Sequence, residues 1–149
     1  MANLEPLKTI LANGGVVVLP TETVYGLFAR ALDQKAVQQV YTLKGRPTDK
    51  AMNLNVASYQ DILAYSQDQP SYLRKLYQTF LPGPLTIILK ANDRVPVWVN
   101  FGLDTVGFRL SKSPCHSRID CRIWPPSWAF GQFIWSSIWQ DFCGYYDRF

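Results

Sequence analysis

The sequence predicts an α/β (α+β) domain built around a mixed sheet. Three observations carry this expectation. Short β-branched runs stand near residues 16–19 and 105–110, apolar residues recur at helical spacing between such runs, and Gly or Pro falls where one pattern gives way to the other. Strands alternating with helices share one core, and 149 residues leave room for one modest domain.

Each element has a local cause. Leu4, Leu7, Ile10 and Leu11 fall on one helical face, and Asn13-Gly14-Gly15 supplies a left-handed stop. Val16 to Leu19 is a buried-strand pattern halted by Pro20, so Pro20 to Glu22 is expected to be a loop. Asp33 is placed to cap a second helix whose apolar face carries Ala36, Val37, Val40, Tyr41 and Leu43, before Gly45 and Pro47 end it. Lys44 to Lys50 follows as a basic loop. Met52 to Val56 alternates like a strand, Tyr59–Tyr65 and Ser71–Phe80 read as helices, and Pro82-Gly83-Pro84 forces a turn. Leu85–Leu89 and Thr105–Leu110 close the series as strands.

Composition changes abruptly after Leu110. Residues 111–149 contain no Leu, Val, Glu, Asn, Thr or Met, yet hold four of the five Trp, all three Cys and the single His. Ordinary domains do not shift composition this sharply. Trp has one codon, TGG, so a frame starting one base later always reads a Gly from it. Trp124, Trp128, Trp135 and Trp139 therefore conceal glycines at spacings of four, seven and four, whatever codons surround them. Residues 111–149 are accordingly expected to be an out-of-frame tail on residues 1–110.

No apolar run reaches the length of a membrane span, and Met1 to Lys8 lacks the basic start and apolar stretch of a secretory signal. Residues 1–110 contain no Cys, which suits a reducing compartment, and a cytoplasmic location with no membrane contact is expected. The net charge of +4 is compatible with nucleotide or RNA phosphates and selects neither.

Three groups of residues can carry chemistry. Pro20-Thr21-Glu22-Thr23-Val24-Tyr25-Gly26-Leu27 sets two hydroxyls, a carboxylate and a phenol after a buried strand, where α/β proteins often contact ligands. The same residues suit a plain capping turn, with Thr21 or Thr23 opening a short helix near Val24. Lys44-Gly45-Arg46-Pro47 presents two cations on a sharply turned loop, fit to grip phosphate or carboxylate oxygens or merely to complement a helix dipole. Thr105, Gly107 and Arg109 share one strand face, as the residues of a solvated face also would. His116 with Cys115, Cys121 and Cys143 lacks any paired Cys-x-x-Cys, and no metal site is expected there. Neither G-x-x-x-x-G-K-[ST] nor G-x-G-x-x-G occurs, which disfavours a kinase or dehydrogenase.

Taken in order, Gly14-Gly15-Val16-Val17-Val18-Leu19-Pro20-Thr21-Glu22-Thr23-Val24-Tyr25-Gly26-Leu27, Lys44-Gly45-Arg46-Pro47, Leu81-Pro82-Gly83-Pro84-Leu85-Thr86 and Thr105-Val106-Gly107-Phe108-Arg109-Leu110 closely resemble the YrdC/Sua5 family. The likeness covers essentially all of residues 1–110. It implies a twisted mixed sheet flanked by helices, with the C-terminal part missing or altered in this chain. The family continues with P-x-H-P and S-A-N-x-S-G motifs. Permitted codons for Ser111 to Cys121 yield P-S-H-P-V-T-R-G-L-I-A in the shifted frame, and those for Ile123 to Trp139 yield S-G-P-L-V-G-P-S-A-N-L-S-G-Q-A-S-G.

The implied activity is that of an L-threonylcarbamoyladenylate synthase, a nucleotidyltransferase acting on L-threonine, bicarbonate and ATP with Mg2+ on the triphosphate. Its product serves the N6-threonylcarbamoyl modification of adenosine 37 in tRNA, through downstream tRNA threonylcarbamoyl transferase proteins. The resemblance assigns Thr23, Asn55 and Arg109 to threonine, and Lys44, Arg46, Lys50 and Thr105 to ATP. At Lys50-Ala51-Met52 the family commonly has Asn-Pro-Leu, and at Asn55 often His. The alternative is a non-catalytic YrdC-like module that binds double-stranded RNA or tRNA. Resequencing the DNA across codons 108–113 is expected to reveal one extra base; reads that support Ser111 onward as written would end the frameshift explanation.

Overall fold

The computed structural model describes residues 5–21, 25–45, 47, 50–112 and 133–135. Helix α1, Glu5–Ala12, ends where the Gly pair foretells. The Gly14 and Gly15 amides donate to the Leu11 and Ile10 carbonyls at 3.2 and 2.8 Å, and Gly14 takes φ +76°. Strand β1, Val17–Pro20, then pairs antiparallel with β2, Tyr25–Phe28, in the register Val17↔Phe28 to Pro20↔Tyr25. The expectation of a short helix near Val24 is thus corrected. Although Val24 lies outside the described residues, the next four are extended, because Leu27 and Phe28 become buried and Phe28 joins Leu11, Val17 and Leu19 in a small core of its own.

Helix α2, Gln34–Lys44, starts at the expected cap: Asp33 Oδ1 accepts from the Lys35 and Ala36 amides at 3.0 and 3.2 Å. Ala36, Val37, Val40 and Tyr41 are buried as foreseen, but Leu43 is 63% exposed. It lies one position past the buried stripe, in the last turn before the left-handed Gly45 cap at φ +58°.

Strand β3, Asn53–Asn55, helix α3, Tyr59–Tyr65, and the two-residue strand β4, Ser66–Gln67, follow. A reciprocal cap opens α3: Ser58 Oγ accepts from the Asp61 amide and Asp61 Oδ2 from the Ser58 amide. Helix α4, Leu73–Phe80, begins two residues later than Ser71, and Leu73 is its one buried residue. After the cis Leu81–Pro82 bond, β5, Ile87–Ala91, also starts two residues later than expected, because the Pro82-Gly83-Pro84 turn extends further. The Gly83 amide donates to Leu110 O at 2.8 Å, which ties that turn to the end of the last long strand. A one-turn helix, α5, Val97–Asn100, and the strand β6, Thr105–Arg109, complete the expected region, and β7, Phe133–Trp135, adds a strand.

The five-stranded sheet runs β4-β5-β6-β3-β7, with β3 and β6 parallel and the other neighbours antiparallel. This is the mixed α/β architecture expected. Leu54 on β3, Phe108 on β6 and Ile87 and Leu89 on β5 turn to one side, against Val37, Val40, Tyr41, Ile62 and Leu73. The strands β4, β2 and β7 and the turn α5 are not among the elements legible in the sequence. Phe108 is fully buried. Phe108→Ala is expected to cost about 3–5 kcal/mol in urea unfolding; a loss below about 1 kcal/mol would show that the sheet does not pack through this residue.

Candidate functional site

On the opposite face β3 and β6 carry Asn53, Asn55, Thr105, Gly107 and Arg109, with the exposed Ile88 of β5 beside Gly107. Parallel register sets Asn55 beside Arg109, so both side chains leave the same face at the carboxyl ends of adjacent strands. Ligands of open α/β sheets bind at strand carboxyl ends. Both residues are buried, at 2% and 4% exposure, so the reading of a solvated face fails at Arg109, although it holds at Thr105. A guanidinium taken from water costs several kcal/mol and is a poor source of stability. Its planar fork is well suited to a carboxylate. The Val56 amide donates to Arg109 O at 2.9 Å, extending the pairing one step beyond the two side chains. Ser111, two residues on, is also buried.

Three further expected residues are described, Thr105, Lys44 and Lys50. Thr105 lies on the Arg109 side of β6 but is exposed, four residues upstream and so about 13 Å away along the strand. Lys44 is the last residue of α2, half-buried, and Lys50 stands exposed where the following loop turns toward β3. Tyr41 ties the loop exit to the helix, its phenol donating to Lys50 O at 2.8 Å while its ring meets Phe101 edge-on at a centroid distance of 5.2 Å. Thr23 and Arg46 lie outside the described residues, as do Cys115, His116, Cys121 and Cys143. The structure therefore brings Asn55 and Arg109 together and arranges Lys44 and Lys50 at the two ends of one loop.

One residue on the polar face has no counterpart among those expected. Asn53, two before Asn55, projects to the same side and crosses Gly107, where a Cβ would collide with its Oδ1 and stand 3.1 Å from its Cγ. The alternation of Met52-Asn-Leu-Asn-Val56 already put both Asn residues on one face, but only strand register reveals what Asn53 covers.

A family model described as telomere recombination, and named for Sua5, YciO and YrdC, matches residues 9–125, and the chain belongs to that family. Threonylcarbamoyl-AMP synthase of Pyrococcus abyssi is 40% identical over 106 residues, 71% of this chain and 30% of that protein. The Vibrio parahaemolyticus protein of the same name is 36% identical over 117 residues, 76% of this chain and 63% of its own length. The chain thus spans under two thirds of these relatives. The crystal structure of P. abyssi Sua5 complexed with L-threonine superposes with a TM-score of 0.80 at 30% identity, over 90% of this chain and 38% of that one. E. coli YciO, at 21% identity and a TM-score of 0.74 over 91% of this chain and 63% of its own, shares the fold.

Tyr41→Phe removes the phenol from Lys50 O and is expected to cost about 1 kcal/mol and to speed amide exchange at Ala51 and Met52. Unchanged exchange at both amides would show that the phenol does not hold the loop exit.

Proposed function

We propose that residues 1–110 are the N-terminal part of an L-threonylcarbamoyladenylate synthase, and that residues 111–149 are the same gene read one base out of frame. The observation that carries the enzymatic part is the buried Asn55 and Arg109 pair at the carboxyl ends of two parallel strands. A structural relative at 30% identity, crystallised with L-threonine, supports the choice of ligand.

In this proposal Arg109 takes the carboxylate of L-threonine, while Asn55 and Thr23 take its polar groups. Lys44, Arg46, Lys50 and Thr105 hold the phosphates of ATP. The deprotonated amine attacks bicarbonate or carbon dioxide to give a carbamate, with release of water when bicarbonate is the donor. A carbamate oxygen then bonds to the α-phosphorus as the bond to the β-phosphate oxygen breaks and pyrophosphate leaves. Positioning and charge neutralisation dominate such a displacement, so lysine and arginine contacts matter more than a side-chain base. Magnesium would enter as the counter-ion of the triphosphate. Among the described residues, no three His, Cys, Asp or Glu side chains gather to hold a metal ion of their own. The adenylate would pass to tRNA threonylcarbamoyl transferase proteins acting on tRNA in the cytoplasm. Among the described residues no helix is long and apolar enough to cross a membrane.

The S-A-N-x-S-G segment occurs only in the shifted frame, so the chain as written is expected to make little or no threonylcarbamoyl-AMP. Removing one base at the Ser111 codon is expected to restore pyrophosphate release from ATP, strictly dependent on L-threonine and bicarbonate. Lys44→Ala in the repaired form is expected to lower ATP use at least tenfold. Equal turnover by the written and repaired chains would refute the frameshift as the cause of impairment. Salt-dependent binding of double-stranded RNA, with no response to ATP or threonine in either form, would favour the RNA-binding alternative.

A further inference from the structure

Asn53 occupies a defined place on the polar face. In register it lies against Gly107, which stands midway along β6 between Thr105 and Arg109. Thr105 and Arg109 are the proposed phosphate and threonine contacts, so the point between them is where the two halves of the product would join. Asn53 is half-buried, and its carboxamide makes no hydrogen bond among the described residues. Gly107 makes room for it. A Cβ there would strike the amide oxygen of Asn53 and come within 3.0 Å of Thr86 Cγ2, so any larger residue would push the carboxamide off the strand.

We propose that Asn53 is a further substrate-contact residue, its carboxamide seated over Gly107 so that the amide N–H groups donate to the oxygens where the carbamate meets the α-phosphate. This rests on the synthase reading and deepens it. A neutral donor suits this point, since it can follow negative charge from carbamate to phosphate without competing with Arg109 for the amino-acid carboxylate. Gly107 is then the residue that sets its position, through space rather than through contact with substrate. No other amide side chain of β3 or β6 lies on this face between Thr105 and Arg109.

Calorimetric titration of the full chain, as written and with one base removed at the Ser111 codon, tests it, and the variants are read in whichever form of the parent binds both ligands. The ligands are L-threonine with bicarbonate, the non-cleavable adenosine 5′-(α,β-methylene)triphosphate, and each of these in the presence of the other. Asn53→Ala is expected to leave each single-ligand Kd within about twofold of the parent and to weaken threonine binding in the presence of nucleotide about tenfold. Gly107→Ala, which keeps the carboxamide but displaces it, is expected to give the same loss, and the double variant to be no worse than either single one. Thermal unfolding of each variant reports folding separately. Parent-like joint binding by Asn53→Ala, or losses that multiply in the double variant, would overturn the assignment while leaving the synthase reading intact. A parent chain that binds neither threonine nor nucleotide even after the frame is repaired at the Ser111 codon would instead remove the synthase reading, and the role of Asn53 with it.

Discussion

The parallel pairing of β3 with β6 is the constraint on which the rest depends. Two parallel strands cannot be joined by a tight turn, so the chain between Asn55 and Thr105 makes a long excursion through α3, β4, α4, β5 and α5 before it returns. That excursion covers one face of the sheet with apolar side chains and leaves β3 and β6 with polar ones on the other. Because register fixes which side each residue takes, Leu54 and Phe108 enter the core together, and Asn55 and Arg109 leave it together. A slip of one residue would exchange these pairs and place a guanidinium among hydrocarbons.

The elements most legible in the sequence are those whose signals are local. Asp33 and Gly45 bound α2 because each satisfies helix-end groups from within a few residues, and the reciprocal Ser58 and Asp61 cap does the same for α3. What stayed hidden depends on distant partners. Tyr25–Phe28 has no alternation to announce it and becomes a strand only by pairing with β1. Likewise Ser66–Gln67 is too short to show a period and exists because Lys90 and Ala91 lie opposite. Phe133–Trp135 has the aromatic and β-branched composition that favours strands, a property of the residues themselves whatever frame produced them.

The candidate site was legible in a different way. Neither a lone Arg on an alternating strand nor a basic loop after a helix identifies a ligand, and each has an ordinary structural explanation. Their order along the chain, together with the Pro-Thr-Glu-Thr-Val-Tyr-Gly segment, carried the family likeness. Depth could not be read at all: alternation says that Arg109 faces away from Phe108, but only the assembled sheet makes both faces at that level buried. Similarly, Tyr41 looks like any other core aromatic in the sequence, and its hold on Lys50 O depends on where the loop returns.

The far edge of the sheet has its own consequence. There β4 is only two residues long, Gln67 Nε2 donates to Ala91 O at 2.6 Å, Gln69 Nε2 donates to Ser66 O at 2.9 Å, and Lys90 pairs with Asp68 at 3.0 Å. Side-chain amides and a charged pair thus occupy the border that an intruding strand would need, the usual defence of native sheets against edge-to-edge aggregation. That rim offers little template for main-chain self-association, so crowding of many copies would not readily zip them together from this side.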